Sequence, residues 1–178
     1  IELAGKVLGI IGMGRIGAAV ARRAAAFGMS VVYHNRRRSP EVEALTGARL
    51  VSLDELLRAS DFVTLHCPLT EATHHLIDAE ALRSMKRTAV LVNTARGPVV
   101  DEEALAEALE AGELWGAGLD VFEREPLVTE RLVRLPNVLL APHTGSATVV
   151  ARDGMARLCA QAVVTVLAGG IPPNVVVN

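Results

Sequence analysis

Three short segments of this chain carry side chains suited to proton and anion chemistry, each behind a stretch of strand character. Val92-Asn93-Thr94-Ala95-Arg96-Gly97 offers a guanidinium, Asp120-Val121-Phe122-Glu123-Arg124-Glu125-Pro126 offers carboxylates, and Ala141-Pro142-His143-Thr144-Gly145 offers an imidazole. An arginine fork grips a carboxylate through parallel hydrogen bonds. A histidine gives up a proton near neutral pH, and a neighbouring carboxylate orients the ring and favours its protonated form. Together the three groups suit reduction of a 2-keto acid, the arginine holding the substrate carboxylate while the histidine protonates the carbonyl oxygen. Singly, Arg96 reads as a loop ion pair and His143 as a structural histidine; their joint occurrence at strand ends favours the chemical reading.

A hydride carrier would find its place near the N-terminus. Gly12-Met13-Gly14-Arg15-Ile16-Gly17 follows the apolar run Val7-Leu8-Gly9-Ile10-Ile11 and precedes a helix-like stretch. This is the strand, tight turn and helix N-terminus that hold a dinucleotide pyrophosphate, with glycines where a side chain would block the turn, the ligand or helix packing. Backbone N–H groups and the helix dipole attract the phosphates without a basic side chain. About eighteen residues past Gly17, the run Ser30-Val31-Val32-Tyr33 ends in His34-Asn35-Arg36-Arg37-Arg38. Dinucleotide folds usually place an acid there, on the adenine ribose. Asn35 repels no 2′-phosphate, and the arginines, Arg36 and Arg37 foremost, offer it guanidinium forks. The pattern favours NADP(H), with NAD(H) the alternative; the plainer reading is a solvated charge cluster.

These segments need a scaffold that gathers strand ends, and strand-like and helix-like stretches do alternate along the chain. The alternation predicts an α/β fold, a Rossmann-type doubly wound parallel sheet with helices on both faces. Arg15 to Phe27 reads as a helix with Ile16, Ala19, Val20, Ala24 and Phe27 at helical spacing, stopped by Gly28. Ser52-Leu53-Asp54-Glu55 reads as a capping box opening a helix to Ala59, and Asp61 to Leu65 as a strand ended by Pro68. Asp78 caps a helix through Met85, and Thr88 to Val92 reads as a buried strand. Asp101 to Ala111 is helical up to Gly112, and Ala117–Val121 and Asn137–Ala141 are strands. A long helix runs from Ser146, with Met155, Leu158, Cys159, Ala162, Val166 and Leu167 on one side, to Gly169.

Composition narrows the function classes. The 178 residues are 51% hydrophobic and 3% aromatic with a net charge of −2, which predicts a globular chain without the basic footprint or stacking platforms of a nucleic-acid binder. Two cysteines, Cys67 and Cys159, suggest a reducing compartment, and no apolar run is long enough to cross a bilayer, so the expected location is the cytoplasm. His74 and His75 have no third ligand at a recognisable spacing and read as solvated histidines on a helical surface. His66 reads as structural or at the cofactor's edge, and Cys67 as a thiol without an activating base.

Five blocks, Gly9–Gly17, Leu65–Thr70, Asn93–Gly97, Gly118–Glu123 and Pro142-His143, stand in an order that resembles the cofactor-binding domain of the D-isomer-specific 2-hydroxyacid dehydrogenases. The resemblance covers essentially the whole chain. It implies that Arg96 orients the substrate, that Glu125 is the acid paired with the histidine, and that His143 is the proton donor. It places Asp120 near the nicotinamide carboxamide and Cys67, Pro68, Thr94 and Ala95 on the cofactor. The expected cofactor contacts also include Gly12, Gly14, Arg15, Ile16, Gly17, Thr73, His143 and Gly145.

Within the family, the Asn-Arg-Arg cluster most resembles glyoxylate and hydroxypyruvate reductases. Phosphoglycerate and D-lactate dehydrogenases share the three catalytic positions, as do corepressors of the family in which cofactor occupancy would regulate partner binding. Family members carry a second domain, built from residues ahead of this stretch and beyond the last helix. Residues 1–178 are therefore expected to be the NAD(P)-binding domain alone, binding cofactor but turning over poorly, since the reaction needs both walls of the cleft. The resemblance also implies a small 2-keto acid substrate and a homodimer.

Overall fold

The computed structural model describes residues 2–173 and divides the chain into two units, Ile1–Pro142 and His143–Asn178. In the first unit the strands are β1 (Val7–Ile11), β2 (Ser30–His34), β3 (Arg49–Leu50), β4 (Phe62–Leu65), β5 (Val90–Asn93), β6 (Gly116–Leu119) and β7 (Val138–Leu140). They pair in the order β3-β2-β1-β4-β5-β6-β7, all parallel. The crossovers carry α1 (Arg15–Ala26), α2 (Pro40–Thr46), α3 (Leu53–Ala59), α4 (Ala79–Ser84), α5 (Glu102–Glu110) and α6 (Glu130–Arg134).

Alternation along the strands feeds two cores, because successive side chains of a strand point to opposite faces. Leu8, Ile10, Val31 and Tyr33 pack with Ala21 and Ala24 of α1 and Val42 of α2. Ile11 and Val32 join the larger cluster built with Leu56, Leu82, Leu105 and Leu109 of α3, α4 and α5. The doubly wound sheet expected from the sequence is therefore the observed one.

Helix starts follow their caps. Ser52 Oγ accepts the Glu55 N–H at 3.1 Å, Asp78 Oδ1 accepts those of Glu80 and Ala81 at 2.9 Å, and Asp101 Oδ1 accepts that of Ala104 at 3.0 Å. Gly28 and Gly112 follow α1 and α5 with left-handed φ of 73° and 66°. In α1 the buried positions are Gly17, Ala21 and Ala24, whereas Ile16 and Phe27 are 65% and 62% exposed. Ala24 and Val20 of the expected stripe face the core, where small residues let the helix lie close on the sheet, whereas Ile16 and the C-cap Phe27 correct that stripe by turning outward.

Several short elements have no counterpart in the sequence reading, among them α2 with 7 residues, β3 with 2 and α6 with 5, each too short to show a period. In the second unit α7 spans Val149–Leu167, three residues later than the expected start at Ser146, because Thr148 Oγ1 accepts the Ala151 N–H and sets the first turn. Cys67 and Cys159 are free thiols, and among the described residues no helix is long and apolar enough to cross a membrane.

Candidate functional site

Parallel pairing puts the carboxyl ends of β1, β2, β4, β5 and β6 along one edge, and the strand order reverses between β1 and β4. Diverging crossovers leave a crevice at such a reversal. A cavity of about 410 Å³ opens there, lined by Gly12, Met13 and Gly14 after β1, by His34, Asn35 and Arg36 after β2, and by His66, Cys67, Pro68 and Thr73 after β4.

The three glycines do different work. Gly12 has φ +98°, and a Cβ on it would lie 2.6 Å from the backbone of His66 and Cys67. On Gly17 a Cβ would lie 2.2 Å from the Gly12 carbonyl oxygen, so α1 can begin against the turn only without a side chain. Gly14 has nothing within 4 Å of its Cβ position, which leaves room for a ligand. The helix it opens has no side-chain cap, unlike α3, α4 and α5, and no acid in its first turn, unlike the equally uncapped α2 and α6. Ala18 N–H to Gly14 O, at 2.9 Å, is the first bond of the helical ladder, so the amides of Arg15, Ile16 and Gly17 precede it. Uncapped amides beside an open glycine fit a pyrophosphate.

After β2, Asn35 Nδ2 donates to the Arg37 carbonyl at 2.9 Å. Arg36 lines the cavity, and Arg37 is exposed outside the lining. Arg38 corrects the picture of three available arginines: its Nε lies 3.0 and 2.9 Å from the two carboxylate oxygens of Glu43. After β4, Thr73 Oγ1 donates to the Pro68 carbonyl at 2.6 Å and accepts the Thr70 N–H at 2.8 Å, which shapes the cavity wall. His66 Nε2 is 3.1 Å from Thr64 Oγ1, and burial pushes the imidazole pKa below its usual value. Burial pushes the Cys67 thiol up, against a smaller lowering by a backbone hydrogen bond, so it carries little nucleophilic thiolate.

Further along the same edge, buried Asn93 shapes the loop that presents Arg96. Its Oδ1 accepts the Ala95 N–H and its Nδ2 donates to the Arg96 carbonyl, both at 3.0 Å. Ala95 is buried, while Thr94 and Arg96 are exposed. Next to this turn, a Cβ on Gly97 would lie 1.9 Å from the carbonyl carbon and oxygen of Phe122. The Arg96 and Glu125 loops are therefore seated directly on each other. Glu125 Oε1 accepts the Phe122 N–H at 3.0 Å, and Asp120, buried, donates its N–H to the Asn93 carbonyl at 3.0 Å.

Behind these loops lies a cluster that the sequence reading missed. Glu102 is 3% exposed; its carboxylate accepts the Glu123 N–H and the Thr129 hydroxyl, and its own N–H reaches Glu123 Oε2 at 3.3 Å. His75 Nε2 is 2.9 Å from Glu123 Oε1, and its Nδ1 is 3.8 Å from Asp101 Oδ2. This corrects the solvated reading of His75, which is half-buried, has φ 49° and follows a 3-10 turn at Glu71–Thr73 rather than lying on an α-helix. In sequence, Glu102 looks like an ordinary first-turn acid, and nothing near His75 names its partner 48 residues away.

The first unit thus gathers the glycine turn, Asn35, Arg36, Cys67, Pro68, Thr73, Thr94, Ala95, Arg96, Asp120 and Glu125 along one sheet edge. His143 opens the second unit with φ 53°, and Gly145 follows it there. A larger groove of about 770 Å³ over β5, β6 and β7 is lined by residues such as Val92, Trp115 and Leu139 and by no ionisable side chain, so it offers no acid–base chemistry.

Residues 1–145 match the family described as D-isomer specific 2-hydroxyacid dehydrogenase, NAD binding domain. A glyoxylate reductase of Thermococcus onnurineus is 55% identical over 175 residues, covering 98% of this chain and 52% of the relative. The crystal structure of TT0316 protein from Thermus thermophilus superimposes with a TM-score of 0.93 at 51% identity, over 99% of this chain and 55% of that one. A glyoxylate reductase from Paecilomyes thermophila gives a TM-score of 0.87 at 46% identity, over 93% of this chain and 50% of that one. The chain spans about half the length of the curated relatives it matches. With the glycine turn, the parallel sheet and the strand-end loops in place, the chain belongs to the D-isomer specific 2-hydroxyacid dehydrogenases, through their NAD-binding domain.

Proposed function

We propose that this chain is the cofactor-binding part of a reductase that uses NADP(H) to convert a small 2-keto acid, glyoxylate or hydroxypyruvate, to its 2-hydroxy acid. The observation that carries this reading is the shared sheet edge: the uncapped start of α1 and Arg36 lie at one end, and the touching Arg96 and Glu125 loops at the other. The similarity to glyoxylate reductases supports the substrate class.

When bound, the nicotinamide supplies hydride to the carbonyl carbon. The amides of Arg15, Ile16 and Gly17 hold the pyrophosphate beside Gly12 and Gly14. Asn35, Arg36 and Arg37 receive the 2′-phosphate without a competing carboxylate. Cys67, Pro68, Thr73, Thr94, Ala95, Asp120 and Gly145 border the rest of the cofactor. Arg96 aligns the substrate carboxylate through its fork, Glu125 is the acid of the proton chemistry, and His143 gives the carbonyl oxygen its proton. The complete protein acts as a cytoplasmic homodimer in this reading.

Two measurements test it. NADPH and NADH titrated against this chain should show tighter NADPH binding that weakens with added salt, because the extra phosphate contact is ionic. In the complete polypeptide, Arg96→Ala and His143→Ala should each abolish glyoxylate reduction while cofactor affinity stays within about twofold, since both act on the reacting groups. Near-normal turnover in either variant would remove the assignment.

A further inference from the structure

Tyr33 is the penultimate residue of β2 and is fully buried, its ring in the core with Ile10, Val31 and Val42. A phenylalanine would fill that core equally well, so the hydroxyl calls for its own explanation. It donates to Glu43 Oε1 at 2.7 Å and accepts the Ser39 N–H at 2.8 Å. Ser39 is the N-cap residue of α2, and its side chain makes no capping bond. The start of α2 is thus anchored by a tyrosine of the neighbouring strand rather than by a local cap. Glu43, one turn into α2, in turn receives Arg38.

The loop between β2 and α2 is consequently fixed at both ends. His34 is held in the sheet, its carbonyl accepting the Gly12 N–H at 3.0 Å, and Ser39 is held on the Tyr33 hydroxyl. Between them Asn35 binds the Arg37 carbonyl, and Arg36 lines the cavity. Burial and the bond to Glu43 push the Tyr33 phenol up, so it remains a donor across the physiological range, while Arg38 and Tyr33 hold the Glu43 carboxyl below its usual value. For a site that captures phosphate by charge alone this arrangement is counterproductive. It places a carboxylate near the phosphate loop and neutralises one of three arginines.

We infer that Tyr33 and Glu43 are positioning residues for cofactor selectivity: with Arg38 they form a clamp that holds Asn35, Arg36 and Arg37 in the geometry that recognises a 2′-phosphate. This rests on the NADP(H) reading proposed above. Arg38 belongs to the clamp, and phosphate contact falls to Arg36 and Arg37.

The experiment measures NADPH and NADH dissociation constants of this chain and of Tyr33→Phe and Glu43→Ala, with melting temperatures alongside. Tyr33→Phe changes no charge, and Glu43→Ala places a good helix former on α2. Both variants should bind NADPH about fivefold more weakly, the equivalent of one lost hydrogen bond. Their NADH affinity should change by less than about twofold. Glu43→Ala decides the sign, because removing a carboxylate near the phosphate loop would tighten NADPH binding at a purely electrostatic site. Tighter or unchanged NADPH binding in Glu43→Ala overturns the clamp, as does an equal loss for both cofactors, which a merely structural role would give. A wild-type chain that binds both cofactors equally overturns the NADP(H) reading and the clamp with it. A wild-type preference left undiminished by both substitutions overturns the clamp alone.

Discussion

The two ends of the candidate site are made in opposite ways. At the β1 end, side chains are missing: a Cβ would strike backbone at Gly12 and Gly17 and finds open space at Gly14, and α1 has neither a side-chain cap nor an acid in its first turn. At the β5–β6 end, side chains do the fastening. Asn93 and Glu102 are buried and bind loop backbone, and Gly97 is clasped against Phe122. An anion needs unpaired N–H groups and space, so one end stays open. Reacting side chains need fixed positions, so the loops carrying Arg96 and Glu125 are locked to each other and to α5.

Glycine substitutions test this contrast most strongly. Gly97→Ala forces a Cβ into the Phe122 backbone and should cost more than about 3 kcal/mol, visible as lost cooperative unfolding. Gly14→Ala should cost less than about 1 kcal/mol, the loss expected at an N-cap, yet weaken NADPH binding at least tenfold if the pyrophosphate sits over it. A stable Gly97→Ala, or a Gly14→Ala that binds normally, would break the contrast.

Glu102→Gln comes next. A carboxylate accepts from both the Glu123 N–H and the Thr129 hydroxyl, whereas an amide keeps both bonds only by donating to Thr129 Oγ1 and loses the charge that strengthens them, so about 1–2 kcal/mol should disappear from urea unfolding. At the open end, Arg36→Ala should weaken NADPH about tenfold with NADH unchanged, and the difference should shrink in high salt as ionic contacts are screened. Ser52→Ala removes the α3 cap and should cost about 1 kcal/mol without affecting cofactor, which shows what a filled helix N-terminus contributes compared with the open one of α1.

Asp61, at the opposite edge of the sheet, supplies the smallest effect and a control. Burial raises its pKa, but the Val7 N–H and Lys86 Nζ outweigh it and hold the carboxyl below its usual value. A depressed native pKa contributes stability above the unfolded value, about 4, that is lost as pH falls through the native value. Asp61→Asn should therefore be less stable than wild type at pH 7, with the gap narrowing below about pH 4 and cofactor affinity unchanged. Urea midpoints at the two pH values check this; a constant gap would mean that Asp61 does not titrate as described.

Much of the open end was legible in the residues because local backbone requirements make it. The glycine turn and the terminator Gly28 act within a few positions of themselves, as do, elsewhere in the sheet's crossovers, the caps at Ser52, Asp78 and Asp101 and the terminator Gly112. The locked end was legible only as strand-end segments bearing Arg96, Asp120 and Glu125. Its fastenings join residues far apart in the chain, such as His75 with Glu123 and Glu102 with Thr129. Short-range pattern carries no signal for such pairs. Arg38 escaped for a similar reason, since its partner lies in α2, a helix too short to announce itself.

By itself the sequence determined the alternation of strands and helices, the phosphate-ready turn and the residue types able to work on a 2-keto acid, because periodicity, capping and glycine geometry act locally. Only the tertiary structure decided which of those residues share a surface: that Arg36 lines the cavity while Arg38 turns to Glu43, and that the Arg96 and Glu125 loops touch. Parallel strands pair only through crossovers, so their shared edge comes into being when the sheet assembles, and contacts across it follow from strand order rather than from spacing along the chain.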